Sequence, residues 1–317
     1  MWKRLGAGEL MLVLALCCPE AHTQHYPTKP VRIVTSEPGA GSDLTARVLA
    51  QGMPAALEQS FIVENRPSNL LGGMVARAQP DGYTLLLSGG SFLIGPLLQK
   101  LPYDPVKDFS PITLVISQPV VLVVHPSLPV KSATDLIALA KAHSGKLNSA
   151  STETGGIFHL AAELLKSMSA VDIVRVPYKG ISQAINDTIA GQVQLTFVSL
   201  GGADSHIKSG RLRVLAISSV RPSALFPGLA TIAAAGLPGY EAVSLVAAFA
   251  PARTPSAVVN RLNQEMVRVL MEAEVKEKFL NAGAETIPGS PEQLATTLKS
   301  ELMKWGKVIQ NAGIKAE

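Results

Sequence analysis

A short segment after the apolar run VRIV (31–34) carries residue types that bind anions. Gly39, Ala40, Gly41, Ser42 and Asp43 follow the run and precede a helical pattern, so the segment reads as strand, glycine loop, helix. Gly39 and Gly41 permit positive φ and close backbone approach, and Ser42 is placed to cap a helix whose apolar face is Leu44, Val48, Leu49 and Leu57. Backbone N–H groups at such a start attract a phosphate or a carboxylate, with the helix dipole adding ~0.3–1 kcal/mol. Asp43 opposes this, because a carboxylate in the first turn already complements the dipole and repels an incoming charge unless it points away. Gly52 and Pro54 predict a kink or stop near Met53.

Other chemistries fit the residues less well. GAGSDL matches the first two glycines of a dinucleotide-binding loop, and Glu64 stands near the ribose-binding position, but Leu44 replaces the third glycine and Pro38 leads into the turn. The chain has no G-x-S-x-G elbow, no H-E-x-x-H and no G-x-x-x-x-G-K-[ST]. The histidines are His22, His25, His125, His143, His159 and His206, and none has a partner at metal-ligand spacing. His125 and His143 read as surface or capping residues. His159, beside STETGG (151–156), is the one placed near a site, and holding that loop is an equally good role for it. Paired carboxylates are absent from any one loop, so glycosidase chemistry has no visible acid and base. These readings imply no cofactor and no metal.

The elements that must position these residues belong to a chain with a large core. It has 317 residues, 47% of them hydrophobic, and a net charge of +4 from scattered basic residues. No basic stripe with interleaved aromatics is present, which argues against a nucleic-acid partner. Lys3 and Arg4 precede LMLVLALCC (10–18), a run shorter than the ~20 residues of a membrane span, and the segment reads as a signal peptide over 1–23. Both cysteines, Cys17 and Cys18, lie inside it, so the exported chain carries no thiol and no disulfide. That places the protein in the periplasm.

Short runs rich in Val, Ile and Leu alternate with helical patterns. Strands are expected at 31–35, 61–65, 83–88, 120–125, 173–178, 193–199, 212–218 and 243–250. Their continuous apolar character predicts mostly parallel sheets flanked by helices, an α/β class. Ser132 caps ATDLIALAKAH, with Gly145 as the stop. SPEQ (290–293) supplies a capping box for a helix whose Leu294, Leu298, Leu302, Trp305 and Ile309 face a core. No internal repeat or linker-like stretch divides the chain.

Several segments in fixed order carry a family resemblance. YPTKPVRIV (26–34), the PGAGSD loop, VENRP (63–67), PDGYTLL (80–86), LPYDPVKDFSPI (101–112), VHPSLPVKSATDLIALAKAHSGKLN (124–148), HLAAELLK (159–166), VPYKG (176–180) and GLPGYEA (236–242) together resemble the Bug receptor family. These are the extracytoplasmic solute-binding receptors of tripartite tricarboxylate transporters. The resemblance implies a two-lobe periplasmic-binding-protein-like fold of type II with the ligand cleft between the lobes. Residues 26–123 and 247–317 would form one lobe and 124–246 the other.

The resemblance also implies the site. Ser36, Glu37, Gly39, Ala40, Gly41, Ser42 and Asp43 stand where a first backbone cradle holds a ligand carboxylate, and Asn69 and Leu70 where a second does. Ser88 ends the third strand candidate and Gly89 follows it; Ser151, Thr152, Thr154, Gly155, His159, Val198 and Ser199 supply the other lobe. Departures are visible. The second cradle resembles RPGAGGNIG, whereas here Arg66 and Pro67 run into the shorter SNLLGG (68–73). STETGGIFH (151–159) replaces a loop resembling SPGNGTSPH, and Val198 stands where an acidic residue is frequent.

The expected function is capture of a small organic acid or related metabolite, a carboxylate or amino-acid-like ligand, by a non-catalytic monomer that presents it to membrane transporter components or a sensor. A secreted enzyme using the same cleft, a dinucleotide-dependent oxidoreductase last among them, is the alternative. Glu37 beside the first cradle would cost a second ligand carboxylate ~4 kcal/mol at 4 Å, more than the ~1.5–3 kcal/mol of one hydrogen bond to a charged group. The ligand is therefore expected to carry at most one carboxylate and an apolar or cationic portion, unless Glu37 turns outward to solvent.

Overall fold

The computed structural model describes residues 26–39 and 41–315. The expected signal segment, with Cys17 and Cys18, and Ala40 of the first loop lie outside the described residues.

The chain opens with β1 (Val31–Thr35), α1 (Gly41–Gly52), a short α2 (Pro54–Leu57), β2 (Phe61–Asn65), α3 (Ser68–Val75), β3 (Thr84–Ser88) and α4 (Gly90–Leu98). A long strand, β4 (Phe109–Val124), leads to α5 (Ala133–Ala142), β5 (Asn148–Ser151), α6 (Ile157–Ser169), β6 (Val174–Pro177), α7 (Ile181–Ile189), β7 (Leu195–Ser199), α8 (Leu200–Lys208) and β8 (Arg213–Ile217). The return is β9 (Val243–Pro251), α9 (Ser256–Met271), α10 (Ala273–Asn281), β10 (Glu285–Thr286) and α11 (Pro291–Asn311).

The strands form a curled sheet in the order β2-β1-β3-β9-β4-β7-β5-β6, with β8 and β10 also on β4. Pairing is parallel on the flanks, where β1 joins β2 and β3 and where β5 joins β6 and β7. At the centre the expectation of parallel sheets is corrected: β9 is antiparallel to β3 and β4, and β4 is antiparallel to β7, β8 and β10. The reason is connectivity. β4 carries the chain from one lobe to the other and β9 carries it back, so neighbouring crossings run in opposite directions.

β4 changes partners along its length. Residues 109–119 pair with β9, and residues 120–124 pair with β7 and β8. The prolines that hide its first half from a hydropathy reading sit at tolerant places: Pro111 at a register shift and Pro119 where the β9 pairing ends. Just beyond, the fully buried Ser218 ties the two crossings together. Val120 N–H donates to Ser218 Oγ at 2.9 Å, and the Ser218 hydroxyl donates to the Ala242 carbonyl at 2.6 Å.

Each lobe has its own core. Ile33, Leu49, Leu85, Val115, Val246 and Leu262 pack in the first, and Leu122, Leu136, Leu160, Phe197, Leu215 and Tyr240 in the second. The break between α1 and α2 falls at Gly52 and Pro54, where a Cβ on Gly52 would stand 2.6 Å from Val269 Cγ1 of α9. Ser132 caps α5 by accepting from Asp135 N–H, and Ser290 and Gln293 form the capping box of α11. α11 spans both cores. Leu294 and Leu298 pack with Phe92 and Phe249 of the first lobe, while Trp305, Val308 and Ile309 join the core of the second.

Candidate functional site

Between the lobes lies a cavity of about 1130 Å³. Four helices begin at it: α1 at Gly41, α3 at Ser68, α4 at Gly90 and α6 at Ile157. Helix starts leave backbone N–H groups without intrahelical partners, so their convergence makes the cavity attractive to anions. They converge because each follows the C-terminal end of a strand, which is where ligands enter open α/β sheets. The crossings contribute Gln118, Ser244 and Leu245, and Leu98, Leu101, Leu298 and Trp305 add apolar wall.

In the first loop, Ser36, Gly41 and Ser42 line the cavity, and the Ser36 and Ser42 hydroxyls are hydrogen-bonded to each other. Ser42 is the second residue of α1 and not its cap. A Cβ on Gly41 would press on Gln118 Oε1 at 3.0 Å, so glycine lets the loop approach the crossing strand. Asp43 turns into the protein. It is 5% exposed, and its carboxylate accepts from Gly39 N–H at 3.1 Å, Asn65 Nδ2 at 2.8 Å and Arg47 Nε at 3.1 Å. Burial pushes its carboxyl up, but the hydrogen bonds from Arg47, Asn65 and Gly39 outweigh it and hold the group below the usual carboxylate range. Gly39 (φ +86°) spends its N–H on Asp43 and, like Asp43, is not part of the cavity wall.

Glu37 corrects the expectation of a charge beside the first cradle. Its exposed side chain reaches the start of α3, accepting from Ser68 N–H at 2.9 Å and from Ser68 Oγ at 2.7 Å. Hydrogen bonds from its own backbone N–H and from Ser68 hold its carboxyl below the usual range. Ser68 and Asn69 line the cavity; Leu70 is 56% exposed and outside it. Ser88 and Gly89, leading into α4, line it as well.

From the second lobe come Thr152, Thr154, Gly155 and Gly156. Their loop is held by Arg175 of β6, whose Nε donates to Ser151 Oγ at 2.7 Å and whose Nη2 donates to the Thr152 carbonyl at 3.0 Å and Thr154 Oγ1 at 3.1 Å. Ser151 is 1% exposed and serves that brace instead of the cavity. His159 Nδ1 accepts the Gly155 N–H at 3.1 Å, and its Nε2 lies 3.7 Å from Glu163, which Lys166 also reaches. Burial, then the charges of Arg175 and Lys166, push the imidazole down to about 4, so it is neutral at pH 7. Its role is to hold the loop. Gly155 (φ +80°) faces Leu98 of α4 so closely that a Cβ would overlap the Leu98 side chain.

Two further expected residues are turned away. Val198 is fully buried among Val121, Ile185, Ala203 and Ile217, and Ser199 caps α8 by accepting from Gly202 N–H. The continuous apolar run around Val198 buries that strand on both faces. The sequence reading missed Ser68, Ser91, Gln118, Arg175, Tyr178 and Lys179, all on the cavity wall. Arg175 left a signal: it is a lone cation inside the apolar run IVRVPY, where a strand residue needs a polar partner. Among the described residues no group of His, Cys, Asp and Glu could hold a metal ion, and no helix is long and apolar enough to cross a membrane.

Residues 45–314 match the family model described as "Tripartite tricarboxylate transporter family receptor". The chain is 34% identical over 324 residues to protein BugT of Bordetella pertussis (strain Tohama I), covering 99% of each. Among solved structures, an R. palustris protein, Rpa4515 with adipate, superposes with a TM-score of 0.73 at 33% identity, covering 92% of this chain and 100% of that one. MatC (Rpa3494) from Rhodopseudomonas palustris with bound malate gives 0.69 at 27% identity, covering 90% and 100%. Two lobes, paired crossings and a cleft ringed by helix starts thus come with a match along nearly the whole described chain, and the protein belongs to the tripartite tricarboxylate transporter receptor family.

Proposed function

We propose that the protein captures a small organic acid in the interlobe cleft and presents it, outside the cytoplasm, to membrane transporter components. The observation that carries this reading is the convergence of helix starts from both lobes on one cavity, with Arg175 beside it. The acids bound to the two R. palustris proteins support the carboxylate class. Serine and threonine hydroxyls, backbone N–H groups and a guanidinium bind an anion without transforming it, so the proposal is a receptor without catalysis, acting as a monomer after removal of residues 1–23. The site in this reading is Ser36, Gly41, Ser42, Asn69, Ser88, Gly89, Thr152, Thr154 and Gly155, with Arg175 added.

The lobes of the proposal are 26–123 with 247–317, and 124–246. In support, β4 exchanges its β9 partner for β7 and β8 at Pro119–Val120, and Ser218 joins the crossings at the same level. A thermal-shift screen of organic acids, amino acids and aromatic carboxylates tests the function. A true ligand at a hundred times its dissociation constant stabilises the protein by about 2.7 kcal/mol. An acid that raises the melting temperature in this way is the expected result. No response to any acid, or turnover of one, would contradict it.

A further inference from the structure

A second cavity, of about 330 Å³, shares Thr154 and Arg175 with the cleft wall and none of its other residues. His159, Glu163 and Lys166 line it from one face of α6, Arg175 from β6, and residues 312–315 from the chain that follows α11.

Three cations meet there, Lys166, Arg175 and Lys315, against one carboxylate, Glu163. Lys166 Nζ stands 2.9 Å from Glu163 Oε1 and offsets its charge. Arg175 and Lys315 have no carboxylate partner among the described residues. Arg175 spends Nε on Ser151 and Nη2 on Thr152 and Thr154, so of the guanidinium's N–H donors those on Nη1 remain. The imidazole of His159 reports the local field. Burial first, and then the charges of Arg175 and Lys166, push it down to about 4, so the surroundings are positive even with Glu163 beside it.

His159 supplies an independent observation. It is 2% exposed, and its Nδ1 accepts the Gly155 N–H at 3.1 Å, so the neutral ring carries its proton on Nε2. The oxygen that approaches Nε2, Glu163 Oε1, is 3.7 Å away, past hydrogen-bond range. A buried donor without an acceptor is costly, and this one belongs to a ring on the cavity wall.

We propose that this cavity is a second anion site, taking a tetrahedral dianion such as inorganic phosphate or sulfate between His159 Nε2–H, the Nη1 edge of Arg175 and Lys315. The two cations without a carboxylate partner match two negative charges. Donors arriving from α6, β6 and the chain end surround a tetrahedral oxyanion better than a planar carboxylate. The site is separate from the organic-acid cleft and does not depend on the receptor reading.

The test is titration of the protein with inorganic phosphate, followed by calorimetry and phosphorus NMR. Saturable binding with a dissociation constant below about 1 mM is expected. Lys315→Met, at an exposed position, should weaken it about fivefold. His159→Asn, whose amide oxygen can still accept the Gly155 N–H while the Nε2 donor is gone, should weaken it about tenfold. Should that variant fail to fold, Lys315→Met carries the test. Lys179→Met, which alters the cleft wall alone, should change phosphate affinity less than twofold. No saturable binding of phosphate or sulfate, or unchanged affinity in Lys315→Met, overturns the proposal. A loss confined to Lys179→Met puts the anion in the cleft and overturns it too. Binding that appears only after removal of residues 316–317 assigns the cavity to this chain's own carboxylate and also overturns it.

Discussion

The loop after β1 and the loop after β5 meet the same cavity from opposite lobes, each leading from a strand into a helix, yet they are braced by opposite charges. In the first, a carboxylate is the pin: Asp43 gathers Gly39, Asn65 and Arg47. In the second, the pins are a guanidinium and a neutral imidazole: Arg175 gathers Ser151, Thr152 and Thr154, and His159 takes the Gly155 N–H. The difference shows how two loops of one cleft can be held in place by opposite charges while both leave anion donors facing the cavity. The first lobe supplies helix starts that its own carboxylates partly fill, and the second supplies the cation.

The comparison is broken most severely at His159. Its folded value of about 4 lies below the ordinary 6.5, so as pH falls the unfolded chain takes up the proton first and stability is lost from about pH 6.5 down to 4. The loss at pH 4 should reach about 3 kcal/mol at 1.36 kcal/mol per pKa unit. Denaturation of wild type and His159→Gln at pH 7.5 and pH 4 measures it; the variant should lack this part of the decline, and identical declines would remove His159 from the account.

Next in size is the guanidinium. Arg175→Met removes the donors that order residues 151–154 and a charge beside the cleft, and should weaken acid binding by about thirtyfold, or roughly 2 kcal/mol, within the range for hydrogen bonds to a charged group. The matching change in the first lobe, Arg47→Met, should cost little affinity, because Arg47 serves Asp43 and is not on the cavity wall. Calorimetry on both variants sharpens the contrast; equal losses would erase it.

Gly155→Ala comes third. A side chain there is strained by φ +80° and meets Leu98 of the facing lobe, so about 1–2 kcal/mol of destabilisation is expected together with weaker binding. Thermal melts and titration read both. Smallest is Ser290→Ala, which removes one half of the α11 capping box, lies off the cavity wall, and should cost about 1 kcal/mol with unchanged affinity.

Much of this architecture is legible before the fold is seen, and the reason is locality. The eight strand runs, the break at Gly52 and Pro54, and the caps at Ser132 and Ser290 all depend on neighbours within a few residues. What escaped depends on distance or on mixed composition. β5 is the polar stretch NSAS, and the first half of β4 is interrupted by Pro111 and Pro119, so neither shows a hydropathy signal. In the site, Glu37 looks like a pocket charge until its partner Ser68, thirty-one positions on, comes into view. Arg175 looks like part of a strand until its hydrogen bonds to a loop 21 to 24 positions earlier appear. Val198 and Ser199 were placed by family position, and the burial of β7 turned one inward while α8 claimed the other.

The central claim is that an organic acid lies between the two loops. A crystal structure grown with the acid giving the largest thermal shift tests it most directly. The account predicts a carboxylate within hydrogen-bond reach of a first-lobe helix start, at Gly41, Ser68 or Gly90, with the second lobe's 152–156 loop closed over the same molecule. An acid bound outside the cleft, or held by one lobe with the other taking no part, would contradict it.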